Sequence, residues 1–348
     1  MRKTKTFSQK EIAKEALCRF EIRRLQNRLT PPTQMTLEHW LSYWLEDVIR
    51  PNREDTTYYC YHSIITNHII PILGKVKIQQ LTPYQIQAYY NQIMREKGLS
   101  SNTVYKHHIL LHTALKMAHR QKLLPENPID LVEAPHQQLP SQSYYNPKQL
   151  NKLFRAVEGD WLEIVVKLAG YLGLRRSEIC GLRWEDVDLE NGVIQIQCVR
   201  TTAGGKVVEK QPKSESSIRK LGIAGISDLV DLLREERFNQ LQQKKQLGKA
   251  YWDSGYVVVK KDGSPCQPNQ VTNIFRQFIQ LHGLPHITIH GLRHTFASVA
   301  NSAKVPLVDI GKALGHKDIT ITGRIYTHLF DQTHQEVLNM VASRICIE

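Results

Sequence analysis

The sequence predicts a multidomain, mainly α chain with a small antiparallel β-sheet confined to its second half. Three observations carry that reading. Apolar residues recur at helical spacing through most of the chain. Period-two alternation is limited to short runs between residues 192 and 223 and to "YVVV" at 256–259. An aperiodic stretch rich in proline, glutamine and serine, "APHQQLPSQSYYNP", separates the two parts as a linker over 134–146. At 348 residues the chain is long enough for each part to bury its own core.

Residues 34–133 read as a compact all-helical domain. In "MTLEHWLSYWLEDVI", Leu37, Trp40, Leu41, Trp44, Leu45 and Val48 repeat at helical spacing behind Thr36 as N-cap. A second helix runs through "TTYYCYHSIITNHII". A third has Thr82 as N-cap, Pro83 at its first position, Gln85 closing a capping box and Gly98 at its end. A fourth, "NTVYKHHILLHTALKMAHRQKLL", is expected to run until Pro125 and Pro128 end it. Its Lys106, His107, Lys116, His119, Arg120 and Lys122 form a basic face that could follow phosphates or simply be solvated. Ahead of this domain, residues 1–33 read as a basic helix with no partner of its own.

The second part, 147–348, opens on a helix capped by Asn146, Pro147 and Gln149, followed by a more apolar helix from Trp161 to Tyr171. "GVIQIQCV", "KVVEK" and "SIRKLGI" read as strands, the first pair joined around Gly204-Gly205. Helices dominate the remainder. Near the end, Thr333 and Glu336 make a capping box ahead of Val337, Leu338, Val341 and Ile345, which predicts a C-terminal tail helix over about 334–345.

Composition narrows the partners. Lysine and arginine number 46 against 33 acidic residues, a net charge of +13 that favours a polyanion. No apolar run reaches the roughly 18 residues of a membrane helix, and "MRKTKTFSQK" is not followed by an apolar segment, so a cytoplasmic chain with no membrane partner is expected. The six cysteines are scattered without a CxxC pair, which argues against a zinc ribbon or a disulfide framework.

Candidate functional residues occupy four stretches of the second part. "GLRRSEICGLRWEDVD" has Arg175 after a Gly173-Leu174 turn and Glu178 three residues on. "QPKSESSIRKLGI" places Lys213 at an expected hairpin turn, with Lys206, Lys210 and Lys220 on the same hairpin as rivals. "HGLRHTFAS" sets His290 and Arg293 on one helical face. "LGHKDITITGRIYTHLF" carries His316 and Tyr326, ten residues apart.

Taken in order, these residues resemble the tyrosine recombinases, the family of phage and conjugative-transposon integrases. That family carries an arginine in a G-x-R-x-S-E context, a β-hairpin lysine, H-x-x-R, L-G-H and a later tyrosine. Each element is present in family order, and the similarity spans roughly residues 34–348. The resemblance implies a helical core-DNA-binding domain joined to an α+β catalytic domain, and a metal-independent reaction with no cofactor. The catalytic residues it implies are Arg175, Lys213, His290, Arg293, His316 and Tyr326, with Glu178 orienting Arg175. Separately from the resemblance, the basic face of the fourth helix offers Lys106, Lys116, Arg120 and Lys122 as DNA contacts, with a merely solvated face as the equal alternative. The implied partners are double-stranded DNA at recombination sites, further copies of the chain in a tetrameric synapse, and an excisionase or DNA-bending accessory protein. Integrases of this kind often start with an arm-binding domain, of which residues 1–33 would be a remnant.

Physical chemistry supports the same roles. Charge builds on the non-bridging oxygens of a phosphodiester under attack, and guanidinium is permanently charged, planar and bidentate, so Arg175 and Arg293 suit a clamp. A tyrosine must lose its proton as it attacks, which nearby cations favour. The leaving 5′-oxygen needs a proton, which Lys213 could donate. For Glu178 an ordinary surface pair with Arg175 is the competing reading. Tyr171 and Tyr251 lack a preceding Leu-Gly-His, and His294 and His328 read as structural. Two other functions stay open at this level: a DNA-binding regulator with no chemistry, and a zinc-dependent hydrolase built on His290 and His294, which have the i,i+4 spacing of metal ligands.

Overall fold

The structure, a computed structural model, describes residues 6, 8–25, 33–138, 143–212 and 215–316. It divides into two compact units, 1–140 and 141–348.

In the first unit, helix α1 (Lys10–Leu25) precedes a helical cluster made of α2 (Leu37–Tyr43), α3 (Asp55–Ile64), α4 (Pro83–Lys97) and α5 (Ser101–Arg120). α2 and α3 each widen into a π-helical segment, Trp44–Ile49 and Ile65–Ile69. Each widening runs into a proline, Pro51 or Pro71, which lacks an N–H and crowds the carbonyl four residues earlier, so a wider turn relieves the clash. Thr36 caps α2, and Thr82 with Gln85 closes the expected capping box on α4. Trp40, Trp44, Tyr89, Tyr90, Leu111 and Leu115 lie in the core, where the Trp40 indole N–H donates to the Ala114 carbonyl at 3.1 Å.

The expected end of α5 needs correction. It stops at Arg120, well short of Pro125, because Lys122 takes a left-handed conformation at φ 60°. Leu123 N then donates to Ala118 O and Lys122 N to His119 O, both at 2.9 Å, a Schellman closure without a glycine.

The second unit holds α6 (Pro147–Ala156), α7 (Glu163–Leu172), α8 (Arg176–Gly181), α9 (Ser227–Leu247), α10 (Pro268–Leu281), α11 (Ile289–Ser302) and α12 (Leu307–Leu314). α7 is central: Ile164, Val165, Val166, Leu168, Ala169 and Leu172 are all buried, and it packs along α11.

The strands depart from expectation. The run 192–199 is not one strand but two, β2 (Val193–Ile196) and β3 (Val199–Ala203), divided at Gln197-Cys198. β2 lies between β1 (Val187–Asp188) and β5 (Arg219–Gly222) in an antiparallel sheet. β3 pairs with β4 (Lys206–Lys210) across Gly204-Gly205, both at positive φ, the geometry a tight hairpin requires. β5 therefore pairs with β2 and not with β4, so Lys206, Lys210 and Lys220 do not share one hairpin. "YVVV" makes only isolated bridges, Arg183 to Tyr256 and Val259 to Pro265.

Candidate active site

The site is assembled around the end of α12. A helix C-terminus leaves carbonyls without intrahelical donors and carries partial negative charge. Here three arginines from three distant stretches meet consecutive carbonyls. Arg219 Nε donates to Ala313 O at 2.7 Å, Arg293 Nη2 to Leu314 O at 2.6 Å and Arg175 Nη2 to Gly315 O at 3.2 Å. Gly315 makes this possible by turning left-handed at φ 66°, with His316 N bonded back to Gly311 O at 3.0 Å. The turn puts His316 directly beyond the three contacts.

Arg175 stands just after the C-cap of α7, where Gly173 takes φ 62°. A Cβ at Gly173 would lie 2.6 Å from Leu314 Cδ2 and 2.9 Å from Phe296 Cδ1, so the close approach of α7, α11 and α12 depends on glycine. Arg293, only 2% exposed, bridges the same junction through Nη1, which donates to Gly173 O at 2.7 Å.

Glu178 corrects the surface-pair reading. Its side chain is 1% exposed, its Oε1 accepts from Arg175 Nη1 at 2.6 Å and its Oε2 from the Arg175 backbone N–H at 2.9 Å. Arg219 Nη2 adds a bond to Oε2 at 3.0 Å. Burial opposes the charged carboxylate, but Arg219 and then Arg175 outweigh it and hold the carboxyl below its ordinary pKa. Arg219 is the member of this cluster that the sequence reading left unassigned. Its only local signal is an arginine inside a short alternating strand.

His290 occupies the first turn of α11, where Thr288 Oγ1 accepts from Gly291 N at 2.9 Å. The residue lines an open recess with Arg175, Ser177, Thr201 and Thr288. Loss of hydration, then the charges of Arg293 and Arg175, lower the His290 pKa; the same causes push His316 down to about 4. His294 is buried and also lowered to about 4, first by burial and then by His290. All three imidazoles are therefore neutral near pH 7. The His290 and His294 rings meet edge to face at 4.7 Å, and among the described residues no group of three or more histidine, cysteine or carboxylate side chains is placed to hold a metal ion.

Of the expected site residues, Arg175, Glu178, His290, Arg293 and His316 come together; Lys213, Tyr326 and the tail helix over 334–345 lie outside the described residues. The rival Tyr171 donates its hydroxyl to Asp228 at 3.0 Å, and desolvation with that carboxylate raises its pKa, which opposes use as a nucleophile. In the first unit, Lys106, Lys116 and Arg120 share an exposed face of α5, and Lys122 is exposed just after it. Lys116 and Arg120 also line an open groove with Asn52, Arg53 and Thr113. His107 does not belong to that face: it is fully buried and bonded through Nδ1 to the Tyr89 hydroxyl at 2.9 Å.

Comparison with known proteins matches residues 144–333 to the phage integrase family and residues 36–94 to the phage integrase N-terminal SAM-like domain. A tyrosine recombinase XerC-like protein of Caldanaerobacter subterraneus subsp. tengcongensis is 29% identical over 314 residues, covering 85% of this chain and 80% of its own. The ICEBs1 integrase of Bacillus subtilis is 26% identical over 278 residues, covering 79% and 74%. Among solved structures, the Tn1549 transposon integrase in complex with transposon right end DNA superposes with a TM-score of 0.74 at 22% identity, over 88% of this chain and all of that one. A lambda integrase dimer bound to a COC′ core site gives 0.62 at 20% identity, over 84% and 95%. Because the family match spans more than half of the sequence and runs through the whole arginine cluster at the end of α12, this chain belongs to the phage integrase family, the tyrosine recombinases.

Proposed function

We propose that the chain is a site-specific DNA recombinase that integrates and excises a mobile element, cleaving and rejoining strands through a 3′-phosphotyrosine at Tyr326 without a metal ion. The observation that carries this reading is the convergence of Arg175, Arg293 and His316 on one helix end, with His290 lining the recess beside Arg175. A scissile phosphate bound at this helix end would receive N–H donors from Arg175 and a histidine beside the positive charge of Arg293, which together stabilise the charge growing on its non-bridging oxygens.

The Tyr326 oxygen attacks phosphorus and the bond to the 5′-oxygen breaks. A neutral His290 accepts the phenol proton while His316 stays on the phosphate, and Lys213 protonates the departing oxygen. The products are a 3′-phosphotyrosine and a free 5′-hydroxyl. Attack by the 5′-hydroxyl of a second duplex reverses the step and joins the strands.

In this reading the first unit grips DNA through Lys106, Lys116, Arg120 and Lys122. Sequence-independent phosphate contacts of that kind make binding fall with salt. The enzyme works in the cytoplasm, and four copies form the synapse, aided by an excisionase or a DNA-bending protein. Among the described residues no helix is long and apolar enough to cross a membrane.

The test is covalent trapping on nicked duplexes taken from the ends of the element that encodes the chain, in excess EDTA. The expected result is an SDS-resistant adduct with the wild-type chain and none with Tyr326→Phe, which should bind the same DNA. An adduct that survives in the mutant removes Tyr326 as nucleophile. Binding without any adduct favours a regulator, and cleavage abolished by EDTA favours a metal enzyme.

A further inference from the structure

We propose that Arg219 is a positioning residue for strand cleavage, coupling the carboxylate that grips Arg175 to the helix end that carries His316. The proposal rests on the recombinase reading. Arg219 begins β5, opposite Ile196 of β2, and its side chain is 7% exposed. Its guanidinium makes bonds in two directions. Toward the α7–α8 turn, Nη1 and Nη2 meet the two carboxylate oxygens of Glu178 at 3.2 and 3.0 Å. Toward α12, Nε donates to Ala313 O at 2.7 Å, while Nη1 also reaches Ser217 O at 3.1 Å.

These donors point at protein acceptors, which makes Arg219 a brace for the site. Glu178 holds the Arg175 side chain and its backbone N–H, and the Ala313 carbonyl lies three residues before His316. One side chain thus links two segments, 175–178 and 313–316, that the chain brings together from far apart. Lysine cannot take its place, because an ammonium has no fork to span a carboxylate while also holding the carbonyl.

Removing Arg219 also changes what Glu178 experiences. The charged groups that face this carboxylate are Arg175 from the α7–α8 turn and Arg219 from β5, and the titratable group that interacts with it from α11 is His290. Without Arg219, burial is opposed mainly by Arg175, and the Glu178 pKa rises. Protonation as pH falls then weakens its hold on Arg175.

The experiment measures single-turnover adduct formation by the full chain on the nicked duplexes named above, from pH 6 to 8.5, beside DNA binding and thermal melting. Arg219→Gln should bind DNA within about threefold of wild type but cleave roughly 10–100-fold more slowly, the cost of a misplaced clamp. Its deficit should deepen toward pH 6. The double variant Arg219→Gln/Glu178→Gln should lose that pH dependence, because its titrating group is gone. If Arg219→Gln does not fold, Arg219→Lys takes its place: it keeps a charge beside Glu178 and should cleave slowly with no added pH dependence. Cleavage at the wild-type rate and pH profile in the folded variant overturns this inference alone. A wild-type chain that forms no adduct overturns the recombinase reading, and this inference with it.

Discussion

Arg293 Nη2 donates to the Leu314 carbonyl at 2.6 Å, and its Nη1 donates to Gly173, so one buried guanidinium joins the end of α12 to the end of α7. The residue expected to clamp phosphate is thus also a structural tie. Arg293→Lys should therefore lose stability as well as cleavage, because a lysine leaves at least one of these buried carbonyls without its donor, a cost of about 1–3 kcal/mol. Arg175, with 32% of its side chain exposed, should behave differently. Arg175→Lys is expected to melt near the wild-type temperature and bind DNA while cleaving poorly. Equal melting of the two mutants would show that the Arg293 contacts contribute nothing to the fold.

Gly173→Ala probes the same junction from the backbone side. The new methyl would meet Leu314 Cδ2 and Phe296 at a residue already at φ 62°, so strain and overpacking add. A destabilisation of about 1–3 kcal/mol is expected, with a loss of adduct formation larger than any loss of DNA binding. An unchanged melting curve would mean that α12 moves aside freely.

Lys213 can be tested chemically. If it protonates the leaving oxygen, Lys213→Ala should cleave a normal duplex roughly 100-fold or more slowly but recover on a substrate with sulfur at the bridging 5′ position, since a thiolate leaves without a proton. Recovery confined to Lys210→Ala or Lys220→Ala would move the general acid to that neighbour.

The helical elements were legible because their signals are local. The Thr82/Gln85 and Asn146/Gln149 capping boxes and the apolar stripe of α2 are each written within one or two turns. The strand pairing was less legible, since nothing between Gly192 and Val199 reveals that the run breaks at Gln197-Cys198 and that β2 accepts β5 across more than twenty residues. For the site, the motifs around Arg175, His290, Arg293 and His316 name residues that do converge. Their spacing could not show that Glu178 is buried or that Arg219 completes it, because both facts depend on contacts 41 residues apart. His107 failed for the same reason: on a helical wheel it neighbours lysines, but Tyr89 and His68 from other helices close over it.

That burial makes a measurable prediction about acid stability. Burial, followed by the charges of His68 and Lys97, pushes the His107 pKa down to about 4, and its Nε2 has no hydrogen-bond partner among the described residues. In the unfolded chain the same imidazole titrates near 6.5. Between these values the unfolded state binds more protons, so stability is complete above about pH 6.5 and falls as pH drops toward 4, by up to about 1.4 kcal/mol per pH unit from this one group. His68, and His294 in the second unit, are lowered too and add to the slope. Urea unfolding of the full chain at pH 7 and pH 5 should therefore show a marked loss for wild type. In His107→Gln, which keeps a polar group beside Tyr89 but cannot titrate, the loss between those pH values should shrink by roughly 1–2 kcal/mol, whatever the substitution does to stability at pH 7. If the two proteins lose stability equally, His107 binds its proton in the folded state and its burial carries no acid sensitivity.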